Sequence, residues 1–105
     1  MPERIAFRMN LNPGQAAEYE KRHDEISPEL VQALKAAGVS DYTIWHDPEK
    51  NHLFGILTRS DDHTLDRLPD TEIMKRWWKH MADIMETNSL NVPAQVPLKR
   101  VFYLP

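Results

Sequence analysis

The chain has 105 residues, of which 41% are hydrophobic and 28% charged, a composition typical of one globular domain spanning residues 1–105. Its net charge of −3 and interleaved basic and acidic residues argue against a nucleic-acid-binding protein. The absence of cysteine excludes disulfides, a thiolate nucleophile and a thiolate metal site. No segment has the pattern of a signal peptide or a membrane span, so we expect a cytoplasmic protein without membrane contact.

The first part of the chain predicts one strand followed by two helices. Apolar and polar residues alternate over residues 3–11, as in a strand with one buried face. Asn12 and Pro13 then predict a helix start, with the asparagine as N-cap and the proline in the first turn. Pro28 interrupts this helix because it lacks an amide donor, and Ser27 can cap a second helical segment.

The middle of the chain predicts a pair of strands and a short helix. Residues 41–46 and 52–58 are rich in apolar residues and enclose D-P-E-K-N, a turn signal. Asp61 and Asp62 are predicted caps of a short helix that ends near Pro69.

The last part predicts the longest helix and a final strand. Asp70 or Thr71 can begin a helix over residues 72–87, and K-R-V-F-Y-L, residues 99–104, has the composition of a strand. The resulting order, β-α-β-β-α-β, predicts an α+β fold with a four-stranded antiparallel sheet and helices on one face, the ferredoxin-like arrangement.

Two predicted strands are apolar on both faces. L-F-G-I-L at residues 53–57 and V-F-Y-L at residues 101–104 resemble strands that are covered on both sides. Helices cover only one face of the predicted sheet, so a single copy would expose an apolar surface. We therefore predict a homodimer in which the two sheets pack together.

Tyr19 and His23 are the first candidate site residues. Four residues apart on a helix, they lie on one face, where a simple core helix would carry aliphatic side chains. They can be a hydrogen-bonded pair at the edge of the core. Alternatively, His23 can act as a general acid/base, because an imidazole exchanges protons near neutral pH.

R-W-W-K-H-M, residues 76–81, places two indoles side by side. Trp77 and Trp78 can both belong to a broad core band of the long helix, or one can line a pocket with its N–H directed at a partner. Tyr42, on a predicted strand, can simply pack against a neighbouring strand. As a set, the candidate residues suit an uncharged polyhydroxylated ligand. Their aromatic ring faces can cover its C–H surface, while the phenol, indole and imidazole groups can hydrogen-bond to its hydroxyls. The set comprises Tyr19, His23, Tyr42, Trp77 and Trp78.

Several segments together resemble the L-rhamnose mutarotase family over nearly the whole chain. They are N-P-G, A-E-Y-E-K-R-H-D-E-I, P-E-L, D-Y-T-I, L-F-G, R-W-W-K-H-M-A-D-I-M and V-F-Y-L-P. The resemblance implies ferredoxin-like subunits that form a dimeric α+β barrel. It also implies an isomerase that interconverts the α and β anomers of L-rhamnose, a 6-deoxy sugar, without a cofactor or a metal.

The resemblance assigns roles to the five candidate residues. It implies that His23 is the proton-donating residue, that Tyr19 and Tyr42 contact the sugar, and that Trp77 and Trp78 form the tryptophan pair of the site.

The chain departs from the family pattern at two places. Ser27 stands where the family usually has tryptophan, and the loop at residues 88–93 reads N-S-L-N-V-P instead of N-P-D-N-S-P. Neither change affects the five residues. The two changes therefore bear on the identity of the sugar more than on the type of reaction.

Two other functions fit the same residues. A non-catalytic sugar-binding module of the same dimeric fold would show saturable affinity without faster anomer exchange. A small monooxygenase of similar architecture would consume oxygen while it oxidises an aromatic substrate.

Overall fold

The computed structural model describes all residues, 1–105, as four strands, three α-helices and one 3₁₀ helix. In chain order these are β1 (Glu3–Asn10), α1 (Ala16–Asp24), α2 (Pro28–Ala36), β2 (Val39–Asp47), β3 (His52–Arg59), the 3₁₀ helix (Leu65–Asp70), α3 (Glu72–Met81) and β4 (Val96–Leu98).

The strands form one antiparallel sheet in the order β2-β3-β1-β4. In its centre Ala6 of β1 pairs with Ile56 of β3 on one side and with Leu98 of β4 on the other. The register of β2 against β3 shifts between Ser40 and Thr43, which marks a β-bulge. The predicted α+β class with a four-stranded antiparallel sheet is confirmed.

The helices cover one face of the sheet and enclose the core. Leu53, Gly55 and Leu57 of β3 alternate with less buried neighbours, as in a strand with one face against the helices, and Met9 is the buried residue of β1. Leu53 is 1% exposed, and burial of such a side chain contributes roughly 1.5–3 kcal/mol to folding. The core cluster consists of Met9, Leu11, Tyr19, Leu53, Met81, Ile84 and Met85, with Phe7, Ile44 and Trp77 packed against it.

The predicted start of the first helix is wrong by three residues, since α1 begins at Ala16 and not at Pro13. Gly14 has φ = +78°, a left-handed conformation that cannot belong to an α-helix. Residues 12–15 therefore form a turn, and α1 begins at Ala16 without a side-chain cap. Asn12 instead donates from its side-chain amide to the carbonyl oxygen of Asp83, at 3.3 Å.

Of the other predicted caps, those of α2 and α3 are confirmed and that of the short helix is wrong. The Ser27 hydroxyl accepts a hydrogen bond from the Leu30 amide at 3.2 Å, and Thr71 does the same for α3. Asp61 and Asp62 cap nothing, because the 3₁₀ helix begins only at Leu65 and its N-cap residue is Thr64.

The third helix is shorter than predicted, ending at Met81 instead of residue 87. The following residues pair with the end of β1 instead of continuing the helix. Met85 bridges to Leu11, and the Glu86 amide donates to the Asn10 carbonyl at 3.0 Å. These tertiary hydrogen bonds replace the helical ones.

The predicted final strand is also wrong. β4 consists of Val96–Leu98, just before the predicted segment. Residues 99–104 are not paired with the sheet, and the apolar side chains from Val101 to Leu104 are 63–89% exposed.

None of the helices is long and apolar enough to cross a membrane. The cytoplasmic location stays a prediction.

Candidate active site

A cavity of about 710 Å³ lies between the helices and the β2 end of the sheet. Its wall is mainly apolar with a few polar groups, as is typical of small-ligand sites. Four of the five predicted residues line it, namely Tyr19, His23, Tyr42 and Trp77. The sheet and two helices thus bring together side chains that lie up to 58 positions apart in the sequence.

Trp78 does not line this cavity. One residue along α3 turns the side chain by about 100°, so Trp77 faces the cavity while Trp78 lies half-buried elsewhere. The contact of Trp78 with a sugar stays a prediction.

His23 is held by a backbone contact within α1. Its Nδ1 lies 2.9 Å from the carbonyl oxygen of Tyr19. A carbonyl oxygen can only accept a hydrogen bond, so Nδ1 carries the proton in this contact and the neutral ring has its lone pair on Nε2. Burial lowers the pKa of His23, and the hydrogen bond to Tyr19 opposes this effect in part. The resting ring is therefore a neutral base.

Two aromatic rings surround the imidazole. The Tyr19 ring lies 4.4 Å from it, and the Trp77 indole meets it edge-on at 5.2 Å between centroids. The His80 ring lies 5.9 Å from the Trp77 indole, in a tilted arrangement. These contacts restrict the orientation of His23 and explain its desolvation.

Both tyrosines of the cavity remain protonated at neutral pH. Tyr19 is 8% exposed, and burial followed by the proximity of Tyr42 raises its pKa above the ordinary value. Tyr42 keeps 36% of its surface exposed, yet desolvation raises its pKa to about 12. Each phenol can therefore donate a hydrogen bond to a ligand.

Tyr42 is supported from below by Phe7, whose ring meets it edge-on at 6.3 Å. Phe7 in turn lies across Gly55 of β3, the residue with which it pairs. A Cβ atom at Gly55 would overlap the Phe7 ring, so glycine is required for this close approach. Gly55 thus allows Phe7 to pack against Tyr42, a cavity residue, without lining the cavity itself, a role that sequence reasoning missed. A lone glycine inside an apolar strand was the available signal.

Other lining residues were also missed. Met74 lies one helical turn before Trp77, a spacing that could have identified it. His46 alternates with Ile44 and Tyr42 along β2, and its Nε2 lies 3.3 Å from the side-chain oxygen of Asn51. Period-two alternation in the sequence already places it on the face of Tyr42, but it is not among the five predicted site residues.

A larger depression of about 940 Å³ lies at the N-terminal end of β1. Its lining mixes apolar residues with charged ones such as Arg4, Asp61 and Arg100, and it contains none of the predicted site residues. The chemistry of the smaller cavity makes that cavity the candidate active site.

Residues 4–104 match the family model described as L-rhamnose mutarotase. The chain belongs to the L-rhamnose mutarotase family. It is 61% identical over 102 residues to an L-rhamnose mutarotase of Rhizobium meliloti, covering 97% of this chain and 98% of the relative. It is 59% identical over 103 residues to that of Brucella anthropi, with 98% and 97% covered.

A solved structure is similar over the same length. The crystal structure of L-rhamnose mutarotase from Formosa agariphila superimposes with a TM-score of 0.91 at 48% identity, covering 98% of this chain and 99% of that one. These matches confirm the family resemblance found in the sequence and, with it, the assignment to the mutarotase class of isomerases.

Proposed function

We propose that this chain interconverts the α and β anomers of L-rhamnose, or of a close 6-deoxyhexose, with His23 and Tyr42 as the proton-transfer groups. One observation carries the assignment. The Nδ1 contact of His23 with the Tyr19 carbonyl leaves Nε2 as a base at the wall of a cavity that also contains protonated phenols.

Ring opening needs one group that accepts a proton and one that donates a proton. His23 Nε2 takes the proton of the anomeric hydroxyl while the bond between the anomeric carbon and the ring oxygen breaks. The Tyr42 hydroxyl gives its proton to the ring oxygen, since a sugar alkoxide is a stronger base than a phenolate. The products are the open-chain aldehyde, an imidazolium and a phenolate.

Ring closure reverses these transfers on the other face of the aldehyde. After rotation about the neighbouring C–C bond, the chain hydroxyl attacks the carbonyl carbon and gives its proton to the Tyr42 phenolate. The carbonyl oxygen takes the proton of the His23 imidazolium, the step in which His23 is the proton donor that the family resemblance implies. The side chains return to their initial states, and no covalent intermediate forms.

The apolar part of the cavity suits a deoxy sugar. Leu30 of α2 and Met74 and Trp77 of α3 line the cavity together with Ile44 of β2. A methyl group placed against this wall is removed from water, which favours binding by roughly 0.8 kcal/mol. A hydroxyl at the same place would lose hydrogen bonds to water.

Anomer exchange measured by saturation-transfer NMR tests this function. We expect the wild-type protein to accelerate exchange of L-rhamnose and His23→Ala to abolish most of the acceleration. Unchanged exchange with ample wild-type protein, across several deoxyhexoses, would contradict the proposal. Saturable binding without faster exchange would instead identify a sugar-binding module.

We also propose that the subunit is ferredoxin-like and assembles as a homodimeric α+β barrel. The strand order β2-β3-β1-β4 and the helices on one face support the ferredoxin-like description. The second face of the sheet carries half-buried Phe54 and Ile56, with Val96 and Leu98 each at least 40% exposed.

A polar group on the same face supports the dimer. Arg8, between Phe54 and Val96 in the register, has a buried Nε without a hydrogen-bond partner in the chain. A buried donor without a partner costs about 1–3 kcal/mol. A second copy packed on this face would supply an acceptor and cover the apolar side chains.

A further inference from the structure

Arg22 and His23 are neighbours on α1, and their side chains point in different directions. His23 faces the cavity and Trp77, whereas Arg22 crosses to the end of α3. The Arg22 side chain is 14% exposed, which is unusually low for an arginine.

Arg22 uses all of its guanidinium nitrogens. Nε donates to Glu18, one turn earlier in α1, at 2.7 Å. Nη1 donates to the His80 carbonyl at 2.5 Å, and Nη1 and Nη2 form a bidentate pair with Asp83 at 2.8 and 3.3 Å. These hydrogen bonds keep the pKa of the Glu18 and Asp83 carboxyls below their usual values.

The contacts of Arg22 with His80 and Asp83 are the only side-chain hydrogen bonds between α1 and the end of α3. α1 has nine residues and no side-chain N-cap, so its own stability is marginal. Its partner, the turn after α3, is anchored independently, since Ile84 accepts from the Asn12 amide at 2.9 Å. Arg22 thus joins α1, whose own stability is marginal, to the turn after α3, which a separate hydrogen bond holds in place.

We propose that Arg22 is a positioning residue, which holds His23 at the Trp77 wall by joining α1 to the end of α3 through Asp83. This inference rests on the proposed role of His23. Near-attack geometry is sensitive to small displacements, and a shift of about 1 Å can lower a rate by about 100-fold. A helix that is free to move relative to α3 would take the base away from the sugar.

Two matched variants test this Arg22 clamp, the link between α1 and the end of α3, because Arg22 has one carboxylate partner within α1 and one beyond α3. Asp83→Asn weakens the link between the helices, whereas Glu18→Gln weakens an ion pair inside one helix. We expect Asp83→Asn to lower kcat about 10-fold with KM changed less than about twofold, and Glu18→Gln to leave kcat within about twofold. A purely stabilising arginine would give both variants the same kcat.

A second measurement reports the geometry without the reaction. Nuclear Overhauser effects between the His23 ring and the Trp77 indole should weaken in Asp83→Asn and persist in Glu18→Gln. Arg22→Lys, which keeps the charge but loses the bidentate contact, should behave like Asp83→Asn and serves if that variant does not fold.

The outcomes separate the two hypotheses. Full kcat and unchanged Overhauser effects in Asp83→Asn and Arg22→Lys would overturn the clamp. Absence of anomer exchange in the wild type, together with weakened Overhauser effects in the variants, would overturn the proposed function and retain the clamp.

Discussion

The protonation state of His23 is set by a backbone carbonyl and by burial. The Nδ1–H of His23 donates to the Tyr19 carbonyl, and the rings of Tyr19 and Trp77 displace water from the imidazole. A carboxylate partner at Nδ1 would have raised the pKa and favoured the imidazolium, whereas desolvation lowers it. At the residue scale, His23 is therefore suited to accept the first proton.

The pH dependence of activity follows from these shifts. His23 has a pKa below the ordinary 6.5, so the neutral base is present at pH 7 and is lost only as pH falls through the lowered value. We expect kcat/KM to be level from about pH 7 to pH 9 and to decline in acid, with its midpoint below 6.5. Exchange rates measured across this range check the prediction, and a midpoint above 7 would contradict it.

The lowered pKa of His23 also affects the free energy of unfolding. The unfolded chain binds a proton at His23 more readily than the native protein, so the contribution of this residue to stability is fully present above pH 6.5 and decreases as pH falls through the lowered pKa.

Removal of the Tyr42 hydroxyl should separate catalysis from binding. Tyr42→Phe keeps the ring against Phe7 but leaves no proton donor for the ring oxygen. We expect kcat to fall by about 10²–10⁴-fold while sugar affinity changes far less. Saturation-transfer rates and a binding isotherm measure the two effects. Tyr103→Phe, on an exposed segment, is the control, and equal losses in both variants would exclude a specific role for Tyr42.

At the scale of elements, contacts between strands and helices position the site more than helix propensity does. β3 has a glycine at the position where the Phe7 ring crosses it, and this allows Phe7 to support Tyr42 on β2. α3 ends at Met81 and the chain after it pairs with the end of β1, so that Met85 joins Met81 in the core.

Substitution of Gly55 should disturb the packing of Phe7 against Tyr42. Gly55→Ala introduces a methyl group that overlaps the Phe7 ring, and we expect a loss of about 1–3 kcal/mol in the free energy of unfolding and a lower kcat. Denaturant unfolding and exchange rates measure both. The double variant Gly55→Ala/Phe7→Leu should recover part of the stability, and strict additivity of the two changes would contradict the proposed overlap.

At the scale of the whole molecule, the chain has one covered and one uncovered face. The helices bury one face of the sheet, and the other face presents Val96 and Leu98 beside the unsatisfied Nε of Arg8. The exposed apolar residues 101–104 add to the surface that a second copy could cover.

A charge on the uncovered face should dissociate the proposed dimer. We expect the wild type to sediment as a dimer and Leu98→Lys to shift toward monomer, because a lysine there would be buried without a partner. Leu90→Lys, in a loop and 77% exposed, is the matched control and should remain dimeric. Analytical ultracentrifugation measures the mass, and a monomeric wild type at micromolar concentration would contradict the prediction.

Local signals in the sequence determined most elements of this protein. Alternation predicted β1, hydroxyl caps predicted the starts of α2 and α3, and helical spacing placed Tyr19 and His23 on one face. The start of α1 was missed because of the local conformation of Gly14, whereas two other errors occurred where distant contacts compete with local preference. The pairing of Met85 with Leu11 shortened α3, and the pairing of Val96–Leu98 with β1 placed the last strand earlier.

Only the tertiary structure decided which indole faces the cavity and what holds α1 against α3. Each of these depends on atoms far apart in the sequence, such as the His23–Trp77 contact and the Arg22–Asp83 pair. Periodicity places a side chain on a face, whereas distances across the core decide what that side chain meets.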